Sequence, residues 1–165
     1  MRLSHCLFLI ALASIAGAFI GSVSLTRKYV SGDHGTHQAD LATKAAIMKS
    51  LDDYMDNFNA HDLAGWEETY HFPHFRLASG KMSVLEKAGT RDSAVVFGAL
   101  HRTGWHHSRW EHRNIIHVSP DKVHVDTQFS RFNSRGQKLG VYESLYILTK
   151  ENGHWGVKMR SSYAE

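Results

Sequence analysis

Between Asp40 and Asn59, apolar side chains recur at spacings of three and four: Leu41, Ala45, Met48, Leu51, Tyr54, Met55 and Phe58. That period winds into a single stripe along one helix face. Asp40 is placed to cap the start, and "NAHD" closes the helix at Asn59. Asp62 then caps a shorter helix in "LAGWEETY", and Pro73 in "HFPHF" stops helical structure. "FRLASGKMSVL" reads as a hairpin turning at Ser79-Gly80. "RDSAVVFGALHRTG" reads as a third helix, capped by Asp92 or Ser93 and followed by Gly104. After Gly104 the period falls to two, through "SRWEHRNIIHV", "KVHVDTQFSRF", "LGVYESLYILTK" and "HWGVKMRSS". The links between these strands are turn pairs: Pro120-Asp121, Arg135-Gly136 and Asn152-Gly153. The predicted order is two helices, a hairpin, a helix and a meander of four antiparallel strands. Such segregation argues for an α+β fold, with the helices covering one face of a curved sheet.

Tight turns carry register, and register carries sidedness. The Pro120 turn predicts the pairs Val118–Val123, Ile116–Val125, Asn114–Thr127, His112–Phe129 and Trp110–Arg131. The Gly136 turn predicts Phe129–Tyr142, Thr127–Ser144 and Val125–Tyr146. The Asn152 turn predicts Leu148–Val157, Tyr146–Met159 and Ser144–Ser161. These pairs join into one core face that carries Val118, Ile116, Val123, Val125, Leu148 and Val157. On this reading Arg109, Glu111, Arg113, Ile115, His117, His124, Asp126, Val141, Leu145, Ile147 and Arg160 lie on the outer face. An ion pair between Asp126 and Arg113 is expected there. The histidine-rich stretch "WHHSRWEH" at 105–112 is then a strand whose neighbours diverge, with Trp110 and His112 pointing inward. A metal needs three or four converging ligands, and none is expected, nor is any cofactor. His71, His74, His106 and His107 receive no role from the pattern.

The segment ahead of the first helix is of another kind. Residues 1–25 hold an uncharged apolar run from Cys6 to Leu25 after Arg2. A signal core runs to about 15 residues and a membrane span to about 17–25. The segment is therefore a signal peptide or an N-terminal membrane anchor, if it is not a start-site artefact. Export or membrane anchoring is the expected location. Residues 26–39 read as a polar linker and 40–165 as one folded domain. The single cysteine, Cys6, sits in the leader, so the domain has no thiol chemistry. The formal charge is +3, with basic residues scattered among acidic ones, which argues against nucleic acid as partner. A membrane contact is expected only through the N-terminal segment.

Two segments carry a resemblance. "YMDNFNAHDLAGWEETY" and "LYILTKENGHWGVKMRSS" resemble the ending of the first helix and the closing hairpin of the nuclear transport factor 2-like superfamily. That superfamily includes the SnoaL-like proteins, ketosteroid isomerase and scytalone dehydratase. The resemblance, over roughly 40–162, implies a cone-shaped curved antiparallel sheet, three helices on its concave face and a pocket between them. It also implies pairing of two copies through their sheets. Isomerase-type members use a carboxylate base near the first strand. Here "YHFPHFR" holds no acid, so His71 or His74 would have to serve, and the position matching the donor acid is Ser144.

The expected pocket is a partly polar core face lined by Tyr54, Trp66, Trp110, His112, Asn114, Thr127, Arg131, Tyr142, Ser144 and Tyr146. Tyr70 and Trp105 are further candidates for aromatic walls. The leading reading is a protein that binds a small, partly apolar ligand. The other is a SnoaL-like isomerase, cyclase or dehydratase with His112 and Tyr146 as its acid–base pair. A homodimer is expected through the outer sheet face, on the apolar patch of Ile115, Val141, Leu145 and Ile147.

Overall fold

The computed structural model describes residues 40–163; the expectations for a leader and linker lie outside those residues. The first helix, α1, spans Leu41–Asn59, and Asp40 accepts the Thr43 amide at its start. α2 spans Leu63–Glu68 behind its Asp62 cap. Two strands follow, β1 (Tyr70–Ala78) and β2 (Lys81–Leu85), then α3 (Ser93–His101), which Asp92 caps. The remaining strands are β3 (His107–Val118), β4 (Lys122–Phe132), β5 (Lys138–Glu151) and β6 (His154–Ser162). The order of elements is the predicted one, and the fold is α+β. Asn152 and Gly153 both take positive φ, 52° and 80°, as the tight turn between β5 and β6 requires.

One curved, unclosed sheet of six strands results, in the order β2-β1-β6-β5-β4-β3. Its meander is antiparallel, but β1 lies parallel to β6, a pairing that no hairpin could reveal. The inward stripe of α1 buries Ile47, Leu51, Tyr54, Met55 and Phe58 against Val123, Val125, Leu148 and Val157 of the sheet. Polar ties fix the helix across it. Ser50 Oγ donates to the Trp155 carbonyl at 2.8 Å, and the Asn59 amide exchanges two hydrogen bonds with the Ser108 backbone at 2.9 and 2.8 Å.

Register holds along β4 and β5 from Lys122 to Arg131, with a shift only at Phe132: Phe129–Tyr142, Thr127–Ser144 and Val125–Tyr146 are paired as expected. It shifts elsewhere. β3 departs from β4 between Trp110 and His112, and again between Ile115 and His117. As a result Trp110 faces Phe129, His112 faces Gln128, Asn114 faces Asp126 and Ile115 faces Val125. Another shift, between Ile147 and Leu148, pairs Tyr146 with Arg160 and Ile147 with Met159. Each extra residue in a strand reverses the side on which all later side chains emerge. His112 and Asn114, expected inside, therefore emerge outside, while Arg113, Ile115 and Arg160 turn inward. Ile116, expected in the core, is 55% exposed.

Gly156 on β6 is held by contact. A Cβ there would stand 2.7 Å from His71 Cδ2 and 2.8 Å from Nε2. The ring has little freedom to move, because its nitrogens lie 2.8 Å from Thr149 Oγ1 and 3.1 Å from His154 Nδ1. Gly156→Ala should lower stability by about 1–3 kcal/mol, the usual cost of overpacking. Urea melts of the two proteins check this.

Candidate functional site

Between helices and sheet lies a cavity of about 550 Å³. Its apolar walls come from Tyr54, Met55 and Phe58 of α1, Trp66 of α2 and Val96 and Leu100 of α3. Leu85 and Val84 of β2 close one side. The sheet supplies its polar groups: His74 and Arg76 from β1, Ser108 from β3, Arg131 from β4, Tyr146 from β5 and Arg160 from β6. Tyr70, Phe129 and Arg91 also line it. The α1 stripe and the alternation of the strands place these groups, since every second strand residue faces the helices.

Four of the residues expected in the pocket line this cavity: Tyr54, Trp66, Arg131 and Tyr146. Four others lie inside the fold but not on the cavity wall. Trp110 packs edge-on to Tyr146, with ring centroids 5.7 Å apart, and donates to the Leu51 carbonyl. Thr127 is buried and donates to the Ser144 carbonyl at 2.8 Å. Ser144 is buried, and Tyr142 stacks on Phe129 at 5.2 Å. Trp105 is also core, its indole N–H bonded to Ser108 Oγ.

His112 and Asn114 are corrections. The β3 shifts bring His112 onto the face of Asp126, with Nε2 3.1 Å from Oδ2. His112 and Tyr146 therefore stand on opposite sides of the sheet, and the expected acid–base pair is not assembled. The expected Asp126–Arg113 pair fails for the same reason: Arg113 pairs with Asp52 of α1.

Sequence reasoning missed Arg76, Arg91 and Arg160, and it named His74 only as a substitute base and not as a pocket residue. Arg160 was hidden by the β6 shift, and Arg91 sits in a loop with no periodicity. His74 did carry a signal, since the hairpin register sets it opposite Phe75 and Leu77. Its Nδ1 lies 3.0 Å from the Val157 carbonyl, which fixes Nδ1 as the protonated nitrogen and leaves Nε2 an acceptor. The ring stacks on Tyr70 at 4.1 Å.

The charges of the cavity are lopsided. Arg91 donates from Nε to Glu67 Oε1 at 2.7 Å, and Glu67 also accepts the Gly89 amide. The Arg91 guanidinium lies over Trp66 at 4.7 Å and Tyr70 at 5.5 Å. Arg160 donates to neutral acceptors, Ser144 Oγ among them at 3.3 and 3.2 Å, and lies over Phe129 at 5.2 Å. Arg131 lies over Tyr142 at 4.5 Å. Burial, and after it the like charge of Arg160, pull the Arg131 guanidinium below its ordinary pKa against the opposing effect of Tyr142. Burial raises the pKa values of Tyr70 and Tyr146 well above the phenol range, so both remain neutral. Among the described residues no group of three histidine, cysteine, aspartate or glutamate side chains converges to hold a metal.

A family model described as NTF2-like protein (DUF6841) matches residues 44–163. No curated protein matches the chain. Among solved structures, the protein Aln2 from a Streptomyces species is similar with a TM-score of 0.59 at 12% identity, over 75% of this chain and 91% of that one. A ketosteroid isomerase-like protein from Erwinia carotovora atroseptica is similar at 21% identity with a TM-score of 0.53, over 73% and 96%. A protein with a cystatin-like fold from Nostoc punctiforme gives 0.56 at 12% identity, over 74% and 90%. At these identities the likeness is one of fold.

His74 gives the site a pH dependence. Burial, followed by the charges of Arg91, Arg160 and Arg76, outweighs the Val157 hydrogen bond and lowers its pKa to about 4. An unfolded histidine titrates near 6.5. Between these values the unfolded chain binds a proton that the folded one does not. Stability should therefore fall as pH drops from about 6.5 toward 4, by roughly 3 kcal/mol in full. Denaturant melts at pH 7 and pH 5 should show a smaller loss for His74→Gln than for the native chain.

Proposed function

The chain belongs to the NTF2-like protein family DUF6841, and on that premise we propose that it is a binding protein for a small, partly apolar molecule. The observation that carries this reading is the cavity of about 550 Å³, apolar on its helical side and polar on its sheet side. Its volume is in the range that takes a drug-sized ligand. The uncharged run from Cys6 to Leu25 supports export or anchoring of the domain by its N-terminal segment.

A second reading, an isomerase, cyclase or dehydratase, has one observation in its favour. His74 lines the cavity with a free acceptor nitrogen and a neutral ring, which is what a general base needs. On this reading His74 takes the role first expected of His112.

Pairing of two copies through the outer sheet face is the third element of the proposal. Val141 is 49% exposed there, Ile116 takes the place expected for Ile115, and Leu145 and Ile147 lie on the same face. His117 and His124 face each other across this surface, with rings 5.2 Å apart. Burial and then His117 hold the His124 pKa below the ordinary histidine value, so weakening of the pair in acid should set in below that range.

Two measurements check these points. The neutral fluorescent dye phenylnaphthylamine should bind the full chain saturably at one site, and Leu100→Trp, which fills the cavity, should abolish that site. Binding indifferent to Leu100→Trp would overturn the pocket. Sedimentation at pH 7.5 should show a dimer that Leu145→Lys splits; a monomer would overturn the pairing.

A further inference from the structure

The cavity offers donors far in excess of acceptors. Among the buried side-chain polar atoms left without a hydrogen-bond partner are Trp66 Nε1, Arg91 Nη2 and Arg131 Nε. All three are N–H donors, and all belong to residues that line the cavity. An unsatisfied buried donor costs free energy comparable to a lost hydrogen bond, so such groups call for an explanation. They lie on three different elements around the cavity, and Arg131 is the one that belongs to its polar sheet side. A partner rich in acceptors would satisfy that donor.

Charge gives the same answer independently. Arg76, Arg91, Arg131 and Arg160 all line the cavity. Glu67 neutralises Arg91. Among the described residues no carboxylate forms an ion pair with Arg76, Arg131 or Arg160. Arg76 and Arg160 are moreover direct cross-strand partners on β1 and β6, a placement in which like charges repel. Arg131 and Arg160 flank the same ring, Phe129, at 6.0 and 5.2 Å. Partly buried cations held this close, without acidic partners, are expensive for a fold unless something anionic joins them. Arginine is also the side chain whose fork matches an oxyanion with two parallel hydrogen bonds.

We propose that the cavity is built for an amphipathic organic anion, its acidic head held by Arg131, Arg160 and Arg76 and its apolar body lodged against Phe58, Trp66 and Leu100. This rests on the reading of the cavity as a binding site and specifies its ligand class. Neutral Tyr146 and the His74 ring stand beside the head and contribute no negative charge that would repel it. The apolar walls exclude water around the head, which strengthens each charge-assisted hydrogen bond.

The test uses the full chain and two dyes with one ring system, anilinonaphthalene sulfonate and phenylnaphthylamine, which differ by the sulfonate alone. The anionic dye should bind at least about tenfold more tightly than the neutral one, as two charge-assisted hydrogen bonds imply. Arg131→Gln and Arg160→Gln should each bring that ratio toward one, and Arg160→Lys should lower it less than Arg160→Gln. Partial unfolding exposes apolar surface that takes up such dyes at many sites, so the ratio is read only for variants that keep one saturable site. Equal affinities for the two dyes in the native chain would overturn the anion and leave the pocket standing. A preference unmoved by either glutamine variant would overturn the assignment of the head to these arginines. Saturable binding of neither dye would overturn the pocket itself.

Discussion

Sidedness in a β-strand is binary, and three register shifts, two against β3 and one against β6, decide which side Arg113, Ile115 and Arg160 take. Without the shift between Ile147 and Leu148, Tyr146 would pair with Met159, and Arg160 would emerge into solvent. With it, Tyr146 pairs with Arg160 and the guanidinium enters the cavity. The shifts in β3 act in the opposite sense on His112 and in the same sense on Arg113, which reaches α1 and pairs with Asp52. Extra residues of this kind re-aim side chains locally while the rest of the ladder continues.

What makes the interior a cavity as well as a core is the aromatic cluster around Tyr54. Its ring meets Trp66 at 5.4 Å, Tyr146 at 5.5 Å, Tyr70 at 5.8 Å and Trp110 at 6.5 Å. These rings connect α1, α2 and three strands. Large, stiff side chains braced edge to face hold the walls apart where smaller aliphatic ones would allow collapse. Trp66 carries the brace onward to Phe58 at 4.8 Å and to the Arg91 guanidinium. The polar wall and the apolar wall are thus parts of one packed structure, and the charges of the first are set beside the rings of the second.

The element order was legible because each device that sets it is local. Asp40, Asp62 and Asp92 cap three helices, and Asn152-Gly153 closes a tight turn. The inward stripe of α1 from Leu51 to Phe58 and the β4–β5 register were readable for the same reason, since a period or a turn is contained in a few residues. Nearer the start of the helix Leu41 and Ala45, expected inward, are exposed, and the buried Ile47 was not expected. The parallel pairing of β1 with β6 was not, because it joins segments more than 80 residues apart. The shifts were not readable either. They fall inside strands at Glu111, Ile116 and Lys158, where no glycine or proline marks them and simple alternation continues in the sequence. The shifts took His112 and Asn114 out of the expected pocket and brought the unexpected Arg160 into the cavity, whereas Tyr54, Trp66, Arg131 and Tyr146 lie where no shift intervenes.

Arg160, turned inward by the β6 shift, is proposed to share an acidic ligand with Arg131. A crystal structure of the full chain grown with a bromine-tagged naphthoate tests it most directly, because anomalous scattering locates the bromine without reference to the protein. The account predicts one bromine peak between Trp66 and Leu100, with the carboxylate on Arg131 and Arg160 and with Tyr146 paired to Arg160. Bromine only on the outer surface, or Met159 in place of Arg160 on the cavity wall, would contradict it.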